Sequence, residues 1–175
     1  MNTIEAIKQR RSIRTFNEQK INNKDIQTIL ECAMSAPTAR NQQGFRFVIV
    51  DDKTILKDIA SNIEHGKMCK DASHAIVVCY EVKDELSELY WVQDASATTE
   101  NILLSATDLG IASVWVAVHP REIKINFITN YFKLPITIKP LCVVALGYKD
   151  NFLKEVDRFD KSKVCYNTSL WDNFN

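Results

Sequence analysis

The chain has 175 residues with 46% hydrophobic content, which suffices for one domain with its own core and is short for two. The 22 basic and 22 acidic side chains give zero formal net charge, so no overall field attracts nucleic acid or anionic lipid. The longest apolar runs, residues 75–80 and 141–146, fall far short of the roughly 20 residues of a membrane-spanning helix, which excludes such a helix. We therefore predict a single domain over residues 1–175, with neither nucleic acid nor membrane as a partner.

The N-terminus and the cysteines both indicate the cytoplasm. The first eleven residues alternate polar and apolar side chains and lack the continuous apolar stretch of a secretory signal. The cysteines are odd in number and form no CxxC pair, which favours buried, reduced thiols over disulfides. The three histidines show no metal-ligand spacing, so we predict no metal site.

Apolar spacing in the first third of the chain predicts two helices and a strand. Residues 3–9 are predicted as a short helix with Ile4 and Ile7 facing inward. The next helix has Asn22 as its N-cap and stops before Pro37. A strand is then predicted over residues 45–50.

The remaining elements alternate between helices and apolar strands. A helix over residues 54–63 precedes a strand over 75–80 that is buried on both faces. The long helix that follows keeps helical spacing from Trp91 to Leu109 and ends at Gly110. After it come a strand over 114–118, a helix over 119–132 with Pro120 in its first turn, and a strand over 141–146.

Residues 149–175 differ from the rest because they carry mixed charge and scattered aromatic residues without a clear period. The aromatic residues are Phe152, Phe159, Tyr166, Trp171 and Phe174. A segment without its own core buries such side chains against another surface, so we predict a C-terminal arm that packs on a partner subunit.

The densest local charge lies near the N-terminus, where residues 1–20 hold five basic and two acidic side chains. In an extended backbone Arg10, Ser12 and Arg14 share one face, and arginine donors match the oxygens of a phosphate monoester. Three such contacts, at about 1.5–3 kcal/mol each, barely offset the roughly 4–15 kcal/mol lost on association. The cluster therefore indicates a nucleotide-like cofactor, unless it is simply a solvated basic turn.

A second polar segment covers residues 35–45, between the second helix and the first strand. Small residues with Pro37 and Thr38 form a loop whose backbone can approach a ligand. Asn41 and Gln43 offer both donors and acceptors to a heterocycle edge. The alternative is an ordinary connecting loop. Neither a dinucleotide fingerprint nor a P-loop is present.

Taken together, these segments resemble the nitroreductase family of flavoproteins over nearly the whole chain. The motifs that carry the resemblance are Arg10-Arg11-Ser12-Ile13-Arg14, residues 33–38, 41–43 and 46–50, residues 94–104 with Gly110-Ile111, Trp115, Gly147-Tyr148 and Arg158-Phe159. The resemblance implies an α+β fold, with a mixed β-sheet flanked by helices, and a homodimer with FMN at the subunit interface.

The resemblance also implies a set of FMN-binding residues. Arg10, Ser12 and the late Arg158 match positions that hold the phosphate, and Arg14 matches a basic residue along the ribityl and pyrimidine side. Asn41 and Gln43 match a loop contributed by the other subunit, and Val114-Trp115 matches backbone beside the flavin ring. The complete predicted set is Arg10, Arg11, Ser12, Arg14, Pro37, Thr38, Asn41, Gln43, Val114, Trp115 and Arg158.

The implied activity is that of an FMN-dependent oxidoreductase. Hydride passes from NADH or NADPH through flavin N5 to a nitroaromatic, a quinone or a similar small acceptor, in a ping-pong cycle. No side chain is then needed as a catalytic acid or nucleophile, although Arg14 is expected to tune the flavin charge. The alternatives are a non-enzymatic FMN-binding or redox-sensing protein, and a flavoenzyme of the same fold that performs dehalogenation or flavin fragmentation.

The chain departs from the family pattern in the polar loop, where Arg40 replaces a usual glycine and Gly44-Phe45 replaces Pro-Trp. A cation at position 40 is expected to alter substrate access or favour an acidic substrate. On the long helix we expect Asp94 to have a structural role on the surface or at a cap. Trp91 and Trp115 are expected in the core, with direct flavin contact as the alternative, and His119 at a helix start.

Overall fold

The computed structural model of the chain describes residues 1–150 and 156–166. The helices in these ranges are α1 (Thr3–Gln9), α2 (Asn23–Met34), α3 (Lys53–Asn62), α4 (Glu85–Asp108) and α5 (Glu122–Tyr131). The strands are β1 (Phe45–Val50), β2 (His74–Glu81), β3 (Ala112–Ala117) and β4 (Ile138–Gly147). Each predicted element is present, and β1 has the predicted bounds.

The four strands form one sheet in the order β1-β2-β4-β3, and each neighbouring pair is antiparallel. A single parallel bridge joins Ser12 to Ser113 beside β3. Within the described residues this bridge is the parallel part of the predicted mixed sheet. It fixes the basic N-terminal segment against an outer strand.

Helices cover both faces of the sheet, so the fold is α+β. On one face the apolar side chains of α2 and α4, including Ile29 and Ile102, pack against Ile76 and Val78 of β2. On the other face α3 and α5 pack against the alternate residues of β2, such as Val77. The prediction that this strand is buried on both faces is confirmed, and it explains the unbroken apolar run.

Local signals set the ends of the helices. The Asn22 side chain accepts a hydrogen bond from the Asp25 amide, which confirms the predicted N-cap of α2. Asp84 caps α4 in a reciprocal arrangement with Ser87. Gly110 follows that helix with φ of 71°, a conformation that glycine adopts without a steric penalty.

Two predictions about these helices are wrong. Ile4 and Ile7 are 66% and 54% exposed, because α1 packs on α4 through the small side chain of Ala6. Pro120 precedes α5 in a turn whose peptide bond to His119 is cis, and the helix begins two residues later at Glu122. His119 is therefore not a helix-start residue. Its ring packs edge-on against the Trp91 ring, with the two ring centroids 4.7 Å apart.

The cysteines behave mostly as predicted. Cys69, Cys79 and Cys142 are buried, and burial raises the pKa of the Cys69 thiol to about 11. Cys32 and Cys165 are only half-buried, which corrects the prediction for those two. The described residues contain no cluster suited to a metal ion. They also contain no helix that is both long and apolar enough to cross a membrane.

Candidate functional site

The basic N-terminal segment lies in an extended conformation along the outer edge of β3. The Ile13 amide donates to the Ser113 carbonyl at 2.9 Å, next to the parallel bridge from Ser12. Further on, the Asn17 amide donates to the Tyr148 carbonyl at 2.8 Å. These bonds bring the arginine motif beside Val114, two segments that the sequence predicted in one site.

A cavity of about 640 Å³ opens between the end of α1 and the described part of the C-terminal segment. Its basic lining residues are Lys8, Arg10, Arg11 and Arg158. The other lining residues are Ile7, Val156, Asp157 and Phe159. Four cations face one acidic residue there, so the lining is strongly positive although the whole chain is neutral.

Arg10 forms an ion pair with Glu100 of α4. The Arg10 Nε atom lies 3.4 Å from Glu100 Oε1. Burial raises the pKa of Glu100, and the charge of Arg10 opposes that shift. The ion pair orients the guanidinium, but the same carboxylate also competes with any anion for it.

The other predicted cations have different surroundings. One guanidinium nitrogen of Arg11 donates to the carbonyls of Lys8 and Arg10, both at 2.7 Å, so this side chain closes the end of α1. Ser12 and Arg14 are exposed and do not line the cavity. Lys8, which the sequence analysis left out, joins the cavity because it lies in the last turn of α1.

The two predicted residues of β3 face opposite sides of the sheet. Val114 is buried in the cluster formed with α3 and α5. Trp115 is half-buried and packs against the cluster formed with α2 and α4. The buried Trp91 and the half-buried Trp115 thus both pack in or against the core, as predicted.

The polar loop after α2 has an unusual backbone. It contains a short 3₁₀ turn, Ala39–Asn41, and three of its residues have positive φ: 47° at Arg40, 57° at Asn41 and 48° at Gln43. Residues other than glycine adopt this region at a cost of about 1–2 kcal/mol each. Contacts with other parts of the chain must therefore offset this strain.

Asp94 of α4 holds the start of the loop. Its two carboxylate oxygens accept the Ala39 amide at 3.1 and 3.2 Å, and one of them also accepts the Tyr80 hydroxyl at 2.9 Å. Asp94 is 6% exposed, which corrects the prediction of a surface position. Its role is structural, as predicted. The helical periodicity of α4 does not indicate that a loop from another part of the chain covers Asp94.

Three further hydrogen bonds close the loop. The Gln43 amide donates to the Thr38 hydroxyl at 3.1 Å. The Gln42 side-chain amide donates to both carboxylate oxygens of Asp84, the N-cap of α4. Hydrogen bonds from Ser87 lower the pKa of Asp84 further, so the carboxylate stays a good acceptor.

Gly44 ends the loop in close contact with Tyr80. A Cβ atom at position 44 would lie 2.3 Å from the Tyr80 ring and 2.8 Å from the Glu81 carbonyl oxygen. Burial, with the hydrogen bond to Asp94, raises the pKa of Tyr80 to about 12, so its hydroxyl keeps the proton that it donates. The departure from Pro-Trp thus has a structural reason in this chain.

The backbone at Arg40 leads to a stability prediction. A glycine at this position adopts φ of 47° without steric conflict, so Arg40→Gly should raise the free energy of unfolding by about 1 kcal/mol. For a domain of this size that corresponds to a rise in Tm of roughly 2–4 °C. Thermal unfolding followed by circular dichroism measures it, and an unchanged or lower Tm would show that the loop is not strained at this residue.

The loop and the cation cavity lie on different sides of α4. Asp94 contacts the loop and Glu100 contacts Arg10, and the two acidic residues are six positions apart on the helix. At 100° and 1.5 Å per residue they are separated by about 120° around the axis and about 9 Å along it. None of Pro37, Thr38, Asn41 and Gln43 lines the cation cavity.

Comparison with known proteins places these features in a family. The sequence pattern of the nitroreductase family matches residues 7–67 and 64–148. A relative from Archaeoglobus fulgidus, provisionally named NADH dehydrogenase/NAD(P)H nitroreductase, is 42% identical over 167 residues, which cover 92% of this chain and 95% of that protein.

Solved structures give the same result for the fold. A crystal structure of a Bacteroides thetaiotaomicron protein with the same provisional name has a TM-score of 0.89 and 32% identity, covering 94% of this chain and 96% of that one. An FMN-dependent nitroreductase from Clostridium difficile has a TM-score of 0.86 and 28% identity, covering 94% and 99%.

Proposed function

Because the chain belongs to the nitroreductase family, we propose that it is an FMN-dependent oxidoreductase that passes hydride from NADH or NADPH to a small acceptor such as a nitroaromatic or a quinone. Donor and acceptor would bind in turn at the same site, which would make the cycle ping-pong. Bound FMN supplies the hydride chemistry through its N5 atom. The chain itself binds and orients the reactants.

The observation that carries this proposal is the cavity of about 640 Å³ lined by Lys8, Arg10, Arg11 and Arg158. Guanidinium groups donate paired hydrogen bonds that match phosphate oxygens, and an ammonium group adds a further charge. A dianionic phosphate monoester therefore fits the donor set, while the apolar lining of Ile7, Val156 and Phe159 accommodates the less polar part of a ligand.

The chain's residues divide the work of binding. Arg10 and Arg158 hold the phosphate, with Lys8 adding charge and Arg11 keeping the end of α1 in place. Ser12 is anchored to β3 through its bridge to Ser113, so its hydroxyl and Arg14 extend the polar surface along that edge. In this arrangement Arg14 stabilises negative charge on the reduced cofactor.

The active form is a homodimer in this proposal. Pro37, Thr38, Asn41 and Gln43 serve the cofactor site of the partner, which agrees with the different sides of α4 on which the loop and the cavity lie. Phe159 and Tyr166 are 76% and 82% exposed and suit the arm that packs on the partner. Phe152, Trp171 and Phe174 of the predicted arm lie outside the described residues.

Titration with FMN followed by anaerobic addition of NADH or NADPH tests the proposal. We expect the protein to retain FMN through gel filtration and the flavin absorption band to bleach with one of the two donors, then recover when a quinone or nitroaromatic is added. Failure to bind FMN would contradict the proposal. Binding without reduction would instead indicate a sensor, and dehalogenated or fragmented products would indicate other flavin chemistry.

The ion pair of Arg10 with Glu100 leads to a second test of this site. The carboxylate competes with the phosphate for Arg10 and repels its charge, so Glu100→Gln should tighten FMN binding by about two- to fivefold at neutral pH. Fluorescence titration of FMN measures the Kd. The exposed carboxylate of Glu31 on α2 is the matched control, because Glu31→Gln should leave the Kd unchanged. A weaker Kd in Glu100→Gln would show that the carboxylate assists binding.

The raised pKa of Glu100 also determines how the free energy of unfolding changes with pH. The neutral form of Glu100 is favoured in the folded protein. The contribution of Glu100 to the free energy of unfolding is therefore most favourable below its pKa in the unfolded chain, and it is lost as the pH rises through its pKa in the folded protein. Glu100→Gln should therefore stabilise the cofactor-free protein at neutral pH, and the gain should vanish in acid. Urea unfolding at the two pH values measures the difference.

A further inference from the structure

We propose that Asp94 and Tyr80 together position the polar loop of residues 38–43 so that it can meet the cofactor, with Gly44 providing the space for the Tyr80 ring. The proposal rests on the proposed function, in which that loop contacts FMN. Asp94 and Tyr80 touch neither cofactor nor substrate in it, so both are positioning residues.

The first step of the argument is that the loop does not hold its shape by itself. Arg40, Asn41 and Gln43 all have positive φ, which side-chain-bearing residues adopt rarely. Such a conformation persists only when surrounding contacts fix it. The three residues with positive φ are all exposed, so packing of their own side chains does not provide those contacts.

The second step is that a buried carboxylate outside the loop holds its start. Asp94 accepts the Ala39 amide immediately before the residues with positive φ. Tyr80, which is fully buried in β2, donates its hydroxyl to the same carboxylate at 2.9 Å. The sheet therefore fixes Asp94, and Asp94 fixes the start of the loop.

The third step concerns the other end of the loop. The Tyr80 ring reaches Asp94 only by passing the backbone at Gly44, where an added Cβ atom would lie 2.3 Å from the ring. The Gly44 carbonyl in turn accepts the Glu81 amide at 2.7 Å. Both ends of the loop thus depend on Tyr80. The Tyr80 ring fits in this position because residue 44 is a glycine and has no side chain.

Limited trypsin digestion tests the positioning role without reference to the cofactor, since trypsin cleaves after an exposed Arg40 only when the loop opens. Removing the buried acceptor in Asp94→Ala should speed cleavage after Arg40 about tenfold. Cleavage after Lys57 in α3 should not change. Mass spectrometry of the fragments measures both sites.

Two further variants guard against a general loss of structure. Tyr80→Phe keeps the buried ring and removes only the hydroxyl, so it should speed cleavage after Arg40 by about two- to threefold. Thr99→Val is the matched control, because Thr99 is a buried residue of α4 whose hydroxyl bonds the Ala95 carbonyl instead of the loop. Trypsin should cleave Thr99→Val after Arg40 at the wild-type rate.

The same variants connect the loop to the cofactor. In Asp94→Ala the Kd of FMN should rise about tenfold and the visible circular dichroism of bound FMN should change, while Thr99→Val preserves both. Equal cleavage in all variants would overturn the positioning role. Faster cleavage with an unchanged Kd would overturn its link to the cofactor. If the wild-type chain binds no FMN, the proposed function fails, and the cleavage rates still decide whether Asp94 holds the loop.

Discussion

Arg10→Ala should weaken FMN binding by roughly 10- to 150-fold, because a charge-assisted hydrogen bond contributes about 1.5–3 kcal/mol. The effect arises in the cavity that Arg10 shares with Arg158. The variant also leaves the half-exposed carboxylate of Glu100 without its cation, and this negative charge repels phosphate further. Fluorescence titration at fixed ionic strength measures the Kd, since salt screens this interaction.

Riboflavin makes the experiment specific for the phosphate. The wild-type chain should bind FMN far more tightly than riboflavin, and Arg10→Ala should remove most of that preference while changing the riboflavin Kd little. Arg121→Ala is the matched control, because Arg121 is an exposed cation at the start of α5, outside the cavity. Equal loss of affinity for FMN and riboflavin would show that Arg10 does not bind the phosphate.

Gly44→Ala should lower the free energy of unfolding by about 3 kcal/mol, which is the upper range for inserting a methyl group into a packed site. The new Cβ atom meets the buried Tyr80 ring at 2.3 Å and the Glu81 backbone oxygen at 2.8 Å, and neither moves easily. The expected fall in Tm is roughly 6–12 °C for a domain of this size. Urea unfolding at neutral pH measures the free energy directly.

Gly147→Ala provides the comparison for this variant. There the added Cβ atom would meet the half-buried Phe16 side chain at 2.7–3.0 Å, whereas at position 44 it would meet a buried ring at 2.3 Å and a backbone oxygen at 2.8 Å. We expect a smaller loss of stability than at position 44. If Gly44→Ala is as stable as the wild-type chain, then the loop and the Tyr80 ring are not packed as described.

Most of the fold follows from local sequence signals. Residues 45–50 form a strand with the predicted bounds, and Asn22 caps α2 as its side chain predicts. The unbroken apolar run of β2 correctly indicated a strand covered on both faces. Such features depend on residues that are close together in the sequence, so a single sequence is enough to predict them.

The failures come from contacts between distant segments. Ile4 and Ile7 have the spacing of an inward face, yet α1 approaches α4 through Ala6, and no local pattern records which face packs closest. Asp94 looked like a surface residue because the loop that buries it begins 55 positions earlier in the chain. Pro120 was predicted in the first turn of a helix, but it lies in the turn that precedes α5.

The sequence named some residues of the candidate cavity but not its geometry: of the predicted set, Arg10, Arg11 and Arg158 line it. The sequence motif singled out Arg10 and Arg158, and the structure brings them to one cavity across most of the chain. Lys8 was missed because a lysine in a short helix has no distinguishing pattern. The role of Glu100 as the partner of Arg10 likewise depends on how α4 lies against the N-terminal segment.

A crystal structure of the protein with FMN is the most direct test of the central claim. The account predicts a homodimer in which the phosphate lies within hydrogen-bond distance of Arg10 and Arg158 of one subunit, and the loop with Asn41 and Gln43 of the other subunit reaches the flavin. FMN bound to one protomer alone, or with its phosphate away from both arginines, would contradict the account.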